Sequence, residues 1–291
     1  MKKYDKKKVI FVGIIIACII IILYIFSLKS GKKKNNNSVS NTNFIPQQNN
    51  SSEQNIYDND FSESDDPFEI KYETKTIRNL ENGKAKFVCT ENFPKIEGLD
   101  DEVAKKIESH LSKLSNDVWK DINESTPDNE INELLKYRAE NGNDSQIGFT
   151  LSYNVELRNK RIITFVYNLK GGLGGAAWDK SSGVSFNRET GEVINVRDVV
   201  ISSEDYIKAC KNYIFEKLKK NESSLPLKSG AQSIINKELE SMSGYFTSNG
   251  IMCIEIPLYE IIDGNVNGEF KCEVPYSLIK NYVYSNYVSL S

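Results

Sequence analysis

The sequence contains a single histidine, and none of its five cysteines forms a C-x-x-C pair. Zinc sites draw their ligands mainly from histidine and cysteine at short, regular spacings. The chain therefore lacks the usual zinc ligand set, and the lone His110 lies in a helical pattern that favours packing over catalysis. No metal ion and no cofactor is predicted.

Signatures of catalysis are also missing. The glycine-rich stretch 171–177 is not followed by Gly-Lys-Ser/Thr, as a P-loop would be, and it does not open a helix, as a dinucleotide-binding turn would. Forty Asp and Glu residues allow many carboxylate pairs, and nothing distinguishes Glu255, Asp263 or Glu269 from the rest. The chain is therefore predicted not to be an enzyme.

Negative charge outweighs positive charge outside the first 34 residues. The whole chain carries a formal net charge of −3, and residues 1–34, with nine lysines and Asp5, account for +8, which leaves −11 for the rest. Nucleic-acid binding requires a basic face, so it is excluded as the expected function. The acidic remainder suits a cationic partner, although such a surface can also serve solubility alone.

The chain also has one long hydrophobic run. Val9 to Leu28 contains no charged residue and no proline. At about 1.5 Å per residue, a helix of this length spans the roughly 30 Å hydrocarbon core of a bilayer. A cleaved signal peptide has a shorter run, and a lipoprotein site at Cys18 conflicts with the apolar residues after it. We predict a single-pass cell-membrane anchor with a cytoplasmic tail (residues 1–8) and an extracellular C-terminal domain.

A polar stretch follows the run. Residues 29–67 are mostly Asn, Ser, Gln, Lys and Asp, which cannot bury enough surface to offset chain entropy. We predict a disordered linker with an r.m.s. reach of roughly 35 Å.

From residue 68 onward the pattern is globular, and blocks of helices and strands indicate the α+β class, with antiparallel sheets and packed helices. We expect a small α+β subdomain over 68–145 and a larger α+β domain over 146–291. The predicted strands are 68–73, 85–90, 147–157, 162–169, 182–186, 192–195, 245–247, 251–256 and 269–274. The predicted helices begin near residues 101, 127, 204, 231 and 276.

Four cysteines lie outside the hydrophobic run, at positions 89, 210, 253 and 272. They fit buried thiols, which behave as small apolar residues. A disulfide between Cys253 and Cys272 is the alternative if their strands pair.

The most unusual local sequence is Gly171-Gly-Leu-Gly-Gly-Ala-Ala177, between two predicted strands. Its small residues expose backbone amides and permit positive φ, as an anion-binding loop requires. A flexible connection between strands fits equally well.

Around this loop the sequence resembles a family of extracytoplasmic domains. The resemblance rests on Tyr167-Asn-Leu-Lys-Gly-Gly, on the segment Val184–Val199 with its Thr-Gly turn, and on Tyr245–Met252, Ile256–Glu260 and Val274–Leu278. Upstream, Phe93–Leu99 matches the small domain that normally precedes it. The family includes the sensor part of the lysozyme-responsive anti-sigma factor (RsiV type) and the non-catalytic part of a peptidoglycan deacetylase (PdaC type).

The resemblance implies an outward-facing domain that binds a wall-active protein, such as lysozyme, or the cell-wall polymer peptidoglycan. An anti-sigma factor is the alternative, although only eight residues precede the hydrophobic run to hold a sigma factor. A wall glycan hydrolase or deacetylase is a lesser one. The family's loop histidine has no counterpart here, since Leu173 or Gly174 stands near its place.

The predicted ligand-binding surface combines the loop, the tryptophan that follows it and three companions. Exposed aromatic residues often dominate protein interfaces, which favours the tryptophan as the main contact. The candidate residues are Gly171, Gly172, Leu173, Gly174, Gly175, Trp178, Asp179, Tyr245 and Tyr259.

Overall fold

A computed structural model describes residues 66–174, 178–221, 226–263 and 268–288. The predicted membrane run and residues 29–65 of the predicted linker lie outside this part of the chain. Within it, no helix is long and apolar enough to cross a membrane. The last predicted linker residues belong to the fold, because the Asp66 carboxylate is fully buried and pairs with Arg158 and Arg188.

The first half of the fold is a five-stranded sheet with two helices. The strands follow the sequence order β1-β2-β3-β4-β5, and every neighbouring pair is antiparallel except β2 and β3, which are parallel. The two helices lie between β2 and β3 in sequence and supply the crossover that a parallel pair needs. The elements are β1 (Glu69–Asn82), β2 (Ala85–Glu97), α1 (Asp101–Ser125), α2 (Asp128–Glu140), β3 (Ile147–Arg158), β4 (Ile162–Gly172) and β5 (Trp178–Asn187).

Helix α1 shows how the sequence determines where a helix of this half begins and which face of it is buried. The Asp100 side chain accepts hydrogen bonds from the backbone N–H groups of Glu102 and Val103, so it caps the free amides of the first turn. Four of its apolar residues follow the helical repeat of three to four positions, so they share one face, and that face is buried in the first half. These residues are Val103, Ile107, Leu111 and Ile122. Trp119 is also buried.

The second half is a three-stranded antiparallel sheet, β6-β7-β8, covered by helices. Its elements are α3 (Val196–Val199), α4 (Ser203–Asn221), α5 (Ala231–Ser241), β6 (Tyr245–Phe246), β7 (Gly250–Pro257), α6 (Leu258–Ile261), β8 (Glu269–Pro275), α7 (Tyr276–Ile279) and α8 (Ser285–Val288). The predicted strand 192–195 is not a full strand, since only an isolated bridge joins Val193 to Phe186. The mixed α+β class is confirmed.

Two apolar clusters form the core. The first core draws its buried residues from Phe68 to Phe186, and the second core draws its own from Ile162 and from Ile194 to Val283. Strand β4 serves both, which explains why it is apolar on both faces. The predicted subdomain boundary at 145/146 falls inside the first core, where β2 and β3 pair across it, and the change of core comes after β5 instead.

The four described cysteines are buried and free. Cys253 occupies a bulge in β7, where the pairing with β8 jumps from Met252–Glu273 to Ile254–Cys272. The bulge places Cys253 beside helix α4, with its Sγ atom 3.6 Å from that of Cys210. The alternative of a Cys253–Cys272 disulfide is therefore not the arrangement observed.

The single histidine is partly buried and packs against the first core. The His110 ring meets Phe186 edge to face, with ring centroids 5.5 Å apart. Burial, and secondarily the charge of Lys113, lowers the pKa of His110. This favours the neutral imidazole, as expected for a packing residue.

Candidate functional site

A shallow groove of about 420 Å³ lies where the start of β3 meets the end of β4 and the first residues of the glycine-rich stretch. Much of its wall is backbone, because four glycines line it. The lining residues are Val88, Gln146, Ile147, Gly148, Phe149, Thr150, Lys170, Gly171, Gly172 and Gly174.

The structure revises the predicted loop. Gly171 and Gly172 extend strand β4, and Trp178 and Asp179 begin strand β5, with Gly171 paired to Trp178 and Lys170 to Asp179. Leu173 and Gly174 remain in a bend. The predicted site residue Gly175 lies outside the described residues.

At two positions in the groove, only glycine fits the backbone conformation and the space available. Gly148 and Gly171 have φ values of +135° and +151°, and a Cβ atom on either would lie about 2 Å from a carbonyl oxygen of the neighbouring strand. No other residue tolerates this approach without strain. Sequence analysis passed over Gly148, because a small residue fitted the alternation of β3 there.

Trp178 stands beside the groove with 49% of its surface exposed. Its ring packs edge to face on Phe149, a groove residue, at a centroid distance of 5.6 Å. This contact fixes the ring without covering it. The predicted site residues Gly171, Gly172 and Gly174 line the groove. Trp178 adjoins them through its pairing with Gly171 and its contact with Phe149, and the partly exposed Leu173 lies in the bend.

Asp179 forms an exposed ion pair with Lys170. Its carboxylate lies 3.9 Å from the Lys170 ammonium, and both side chains are about two-thirds exposed. Exposed pairs of this kind contribute little energy, so either group remains available to a ligand.

Tyr245 does not belong to the contact surface, which corrects the prediction. It is only 4% exposed, and its ring lies so close to Gly183 that a Cβ atom there would be 2.6 Å from it. Its hydroxyl donates to Glu255 Oε1 at 3.0 Å. Burial, followed by the nearby Glu255 charge, raises the pKa of Tyr245 well above its ordinary range.

Tyr259 is exposed but belongs to another part of the molecule. It lies in α6, after β7, where the Lys228 ammonium donates to its carbonyl oxygen. None of the described contacts joins it to the groove. Its exposure is therefore the only observation that keeps Tyr259 as a candidate for ligand binding.

The structure also assembles a polar cluster that sequence analysis missed. Glu255 and Glu269, which had no distinguishing mark in sequence, share Lys271 at 3.5 and 3.2 Å. Ser181 in β5 donates through its hydroxyl to Glu255 at 3.3 Å and through its backbone N–H to Glu269 at 3.1 Å. Lys271 in turn donates to the Ser181 hydroxyl.

This arrangement is a joint between β5 and the second sheet rather than an acid–base pair open to substrate. The Glu255 and Glu269 side chains are only about one-tenth exposed. Burial raises the pKa of Glu255, while the Lys271 charge opposes that rise. A lysine engaged with two carboxylates does not act as a general base toward the serine. Among the described residues, no group of three His, Cys, Asp or Glu side chains has the geometry of a metal site.

No family model and no curated protein matches the chain. Solved structures do resemble it. A member of the DUF3298 family from Bacteroides fragilis superposes with a TM-score of 0.52 at 13% identity, covering 77% of this chain and 97% of that one. A DUF3298 family protein from Pseudomonas aeruginosa gives a TM-score of 0.44 at 11% identity, covering 76% of this chain and 95% of that one. The first comparison shows a shared fold.

Proposed function

We propose that the protein is a membrane-anchored, extracytoplasmic binding domain whose contact surface is the groove with Trp178. Its preferred ligand is a strand of cell-wall polymer. The observation that carries the proposal is an exposed tryptophan, fixed by Phe149, beside a groove walled by glycine backbone. The DUF3298 fold, which also occurs in RsiV-like and PdaC-like proteins, supports the extracytoplasmic assignment.

The shape of the groove suits a narrow polymer. Its volume falls within the usual range for small-ligand sites, roughly 300–1,000 Å³, but it is open along the surface. The glycines let a ligand approach the backbone closely, where N–H and C=O groups can bind sugar hydroxyls or peptide amides. The Trp178 ring adds a large apolar face with a polar N–H at its edge.

A cationic wall-active protein such as a lysozyme is the second candidate. The charge of −11 outside the first 34 residues favours it, because an acidic surface accelerates encounter with a basic partner. Such binding should weaken steeply as salt rises. The anti-sigma role remains a prediction from the sequence resemblance, and it concerns residues that the structure does not describe.

The test titrates the full-length protein in detergent with soluble peptidoglycan fragments and, separately, with lysozyme, by calorimetry at two salt concentrations. Trp178→Ala should weaken binding by about tenfold or more, since exposed aromatic anchors dominate many interfaces. Tyr284→Ala removes an equally exposed aromatic residue from the second half and serves as the matched control.

Binding of the polymer that depends on Trp178 but not on Tyr284 supports the proposal. Salt-sensitive binding of lysozyme alone would replace the first ligand with the second. If neither ligand binds, or if Trp178→Ala leaves the affinity unchanged, the groove is not the contact surface.

A further inference from the structure

Arg138, near the end of α2, is a buried cation that has no anionic partner among the residues the structure describes. It is only 7% exposed, and no carboxylate of the described residues forms an ion pair with it. Its Nη2 atom donates to Asn143 Oδ1 at 2.8 Å and to Ser145 Oγ and O at 2.6 and 3.1 Å. Its buried Nε atom has no hydrogen-bond partner in the described part of the chain.

This arrangement is costly, because a buried charge requires a counter-charge or a complete set of hydrogen bonds. The other well-enclosed arginines satisfy that requirement. Arg188 pairs with the buried Asp66, and Arg78 pairs with Asp128. A glutamine or methionine would fill the Arg138 position without an uncompensated charge. The guanidinium therefore points to an anion that arrives with a ligand.

The guanidinium is placed against the wall of the groove. Its Nη1 atom lies 2.5 Å from the position that a Cβ atom on Gly174 would occupy, and the nearby Ile147 side chain lies 3.7 Å from that same position. Both Gly174 and Ile147 line the groove. Because residue 174 has no side chain, Nη1 occupies the space beside Gly174 that a side chain would fill, next to two residues that line the groove.

We infer that this end of the groove is an oxyanion subsite, in which Arg138 receives a carboxylate or phosphate group of the bound ligand. Lys170, which also lines the groove, supplies a second positive charge. Arginine suits this role because its planar group can present two N–H donors to an oxyanion. The inference rests on the proposed function of the groove and adds the ligand chemistry: the bound polymer is anionic.

Two wall sources offer this chemistry, namely the carboxylates of peptide stems and the phosphates of poly(glycerol phosphate) chains. The experiment measures binding of three probes to the full-length protein in detergent. They are peptidoglycan fragments with free stem carboxylates, the same fragments with those carboxylates amidated, and poly(glycerol phosphate). We expect at least one anionic probe to bind tenfold or more tightly than the amidated fragments, and the tighter one identifies the source.

The variants locate the subsite. Arg138→Gln should abolish the preference for the anionic probe while leaving affinity for the amidated fragments unchanged, and Arg138→Lys should retain part of it. Gly174→Ala should also reduce the preference, because its methyl group would displace Nη1 without removing the charge. Arg197→Gln removes an exposed arginine of α3 as the matched control.

If neither the acidic fragments nor poly(glycerol phosphate) binds more tightly than the amidated fragments do, the subsite is overturned and the proposed function stays intact. An equal loss for both probes in Arg138→Gln would assign Arg138 a purely structural role. Absence of binding to all three probes would overturn the subsite together with the polymer-binding function. The wild-type comparison decides the matter even if a variant fails to fold.

Discussion

The two halves of the fold differ in where their polar groups lie: exposed at a groove in the first half, and buried at the junction between the halves in the second. In the first half, glycines occupy positions 148, 171 and 172 at adjoining ends of β3 and β4. Because glycine has no side chain, a groove is open there, beside an exposed tryptophan. In the second half, Glu255, Lys271 and their partners are folded inward against β5. One half leaves backbone and charge exposed at a groove, whereas the other uses charge to hold the halves together.

The junction between the halves is closed by hydrogen bonds as well as by apolar contacts. The Phe246 N–H in β6 donates to the Ser185 hydroxyl in β5 at 2.9 Å, and that hydroxyl contacts Thr164 in β4 at 2.7 Å. All three are fully or almost fully buried. Buried polar groups that satisfy one another fix a unique arrangement, so the junction is expected to be rigid.

The largest effect is expected from Gly148→Ala. Its Cβ atom would lie 2.0 Å from the Val88 carbonyl oxygen at a φ of +135°, so the strands that form the groove must separate. We expect a loss of about 4 kcal/mol of unfolding free energy, or no folded protein, as measured by urea denaturation.

Gly142→Ala is the matched control for that change. Gly142 also has a positive φ, +67°, but a Cβ atom there would meet nothing within 4 Å. Its cost should be about 1 kcal/mol, from backbone strain alone. Equal losses in the two variants would show that the close approach of β2 and β3 is not what requires glycine at 148.

Asp66→Asn should have the next largest effect, because it breaks the buried pairs that attach the start of the fold to β3 and to Arg188. The Arg188 hydrogen bond, opposed by burial, lowers the pKa of Asp66 to about 2 from 3.8. A lowered pKa in the folded state stabilises the protein above pH 3.8, and that stability disappears as the pH falls through about 2. We expect a loss of about 2–3 kcal/mol at pH 7.

The stability difference between wild type and Asp66→Asn should shrink steadily between pH 4 and pH 2, as followed by thermal or urea unfolding. Asp128→Asn is the control, because Asp128 also pairs with an arginine but is 70% exposed. The Asp128 carboxylate remains hydrated in the fold. Arg78 keeps its hydrogen bonds to Asn123 and Thr126 in this variant, so stability should change by less than about 1 kcal/mol. A pH-independent difference for Asp66→Asn would contradict the account.

Glu255→Gln in the second half should have a smaller effect on stability, and the pH dependence of that effect should be opposite in sign to that of Asp66→Asn. Burial raises the pKa of Glu255, so the folded state binds a proton more readily than the unfolded state does. Its contribution to stability is therefore greatest below the ordinary pKa of 4.5 and falls as the pH rises above that value. Unfolding profiles from pH 4 to pH 7 should decline less in Glu255→Gln than in wild type, and parallel profiles would refute this sign.

Local patterns in the sequence predicted most elements of the fold. The strand predicted at 147–157 is β3, and the helix predicted to begin near residue 101 is α1. The contacts between halves were not predictable, because Ser181, Glu255 and Lys271 meet only when strands of two different sheets come together. Their sequence separation carries no periodic signal.

The candidate site was predicted in part. An unusual run of glycines and the following Trp178 drew attention to the correct end of the sheet. The run was interpreted as a loop, because glycine weakens the interior of a strand. No local signal in the sequence shows that β4 and β5 extend into the run. Arg138 was missed, since its burial without a counter-charge follows from the packing of α2 against a distant glycine.

The central claim is that ligand binding belongs to the groove of the first half. Hydrogen exchange of the full-length protein, with and without soluble peptidoglycan fragments, tests it most directly. The account predicts slower exchange at residues 147–150 and 170–174, with no change at 258–261 around Tyr259. Protection confined to the second half, or bound ligand without protection of the groove, would contradict it.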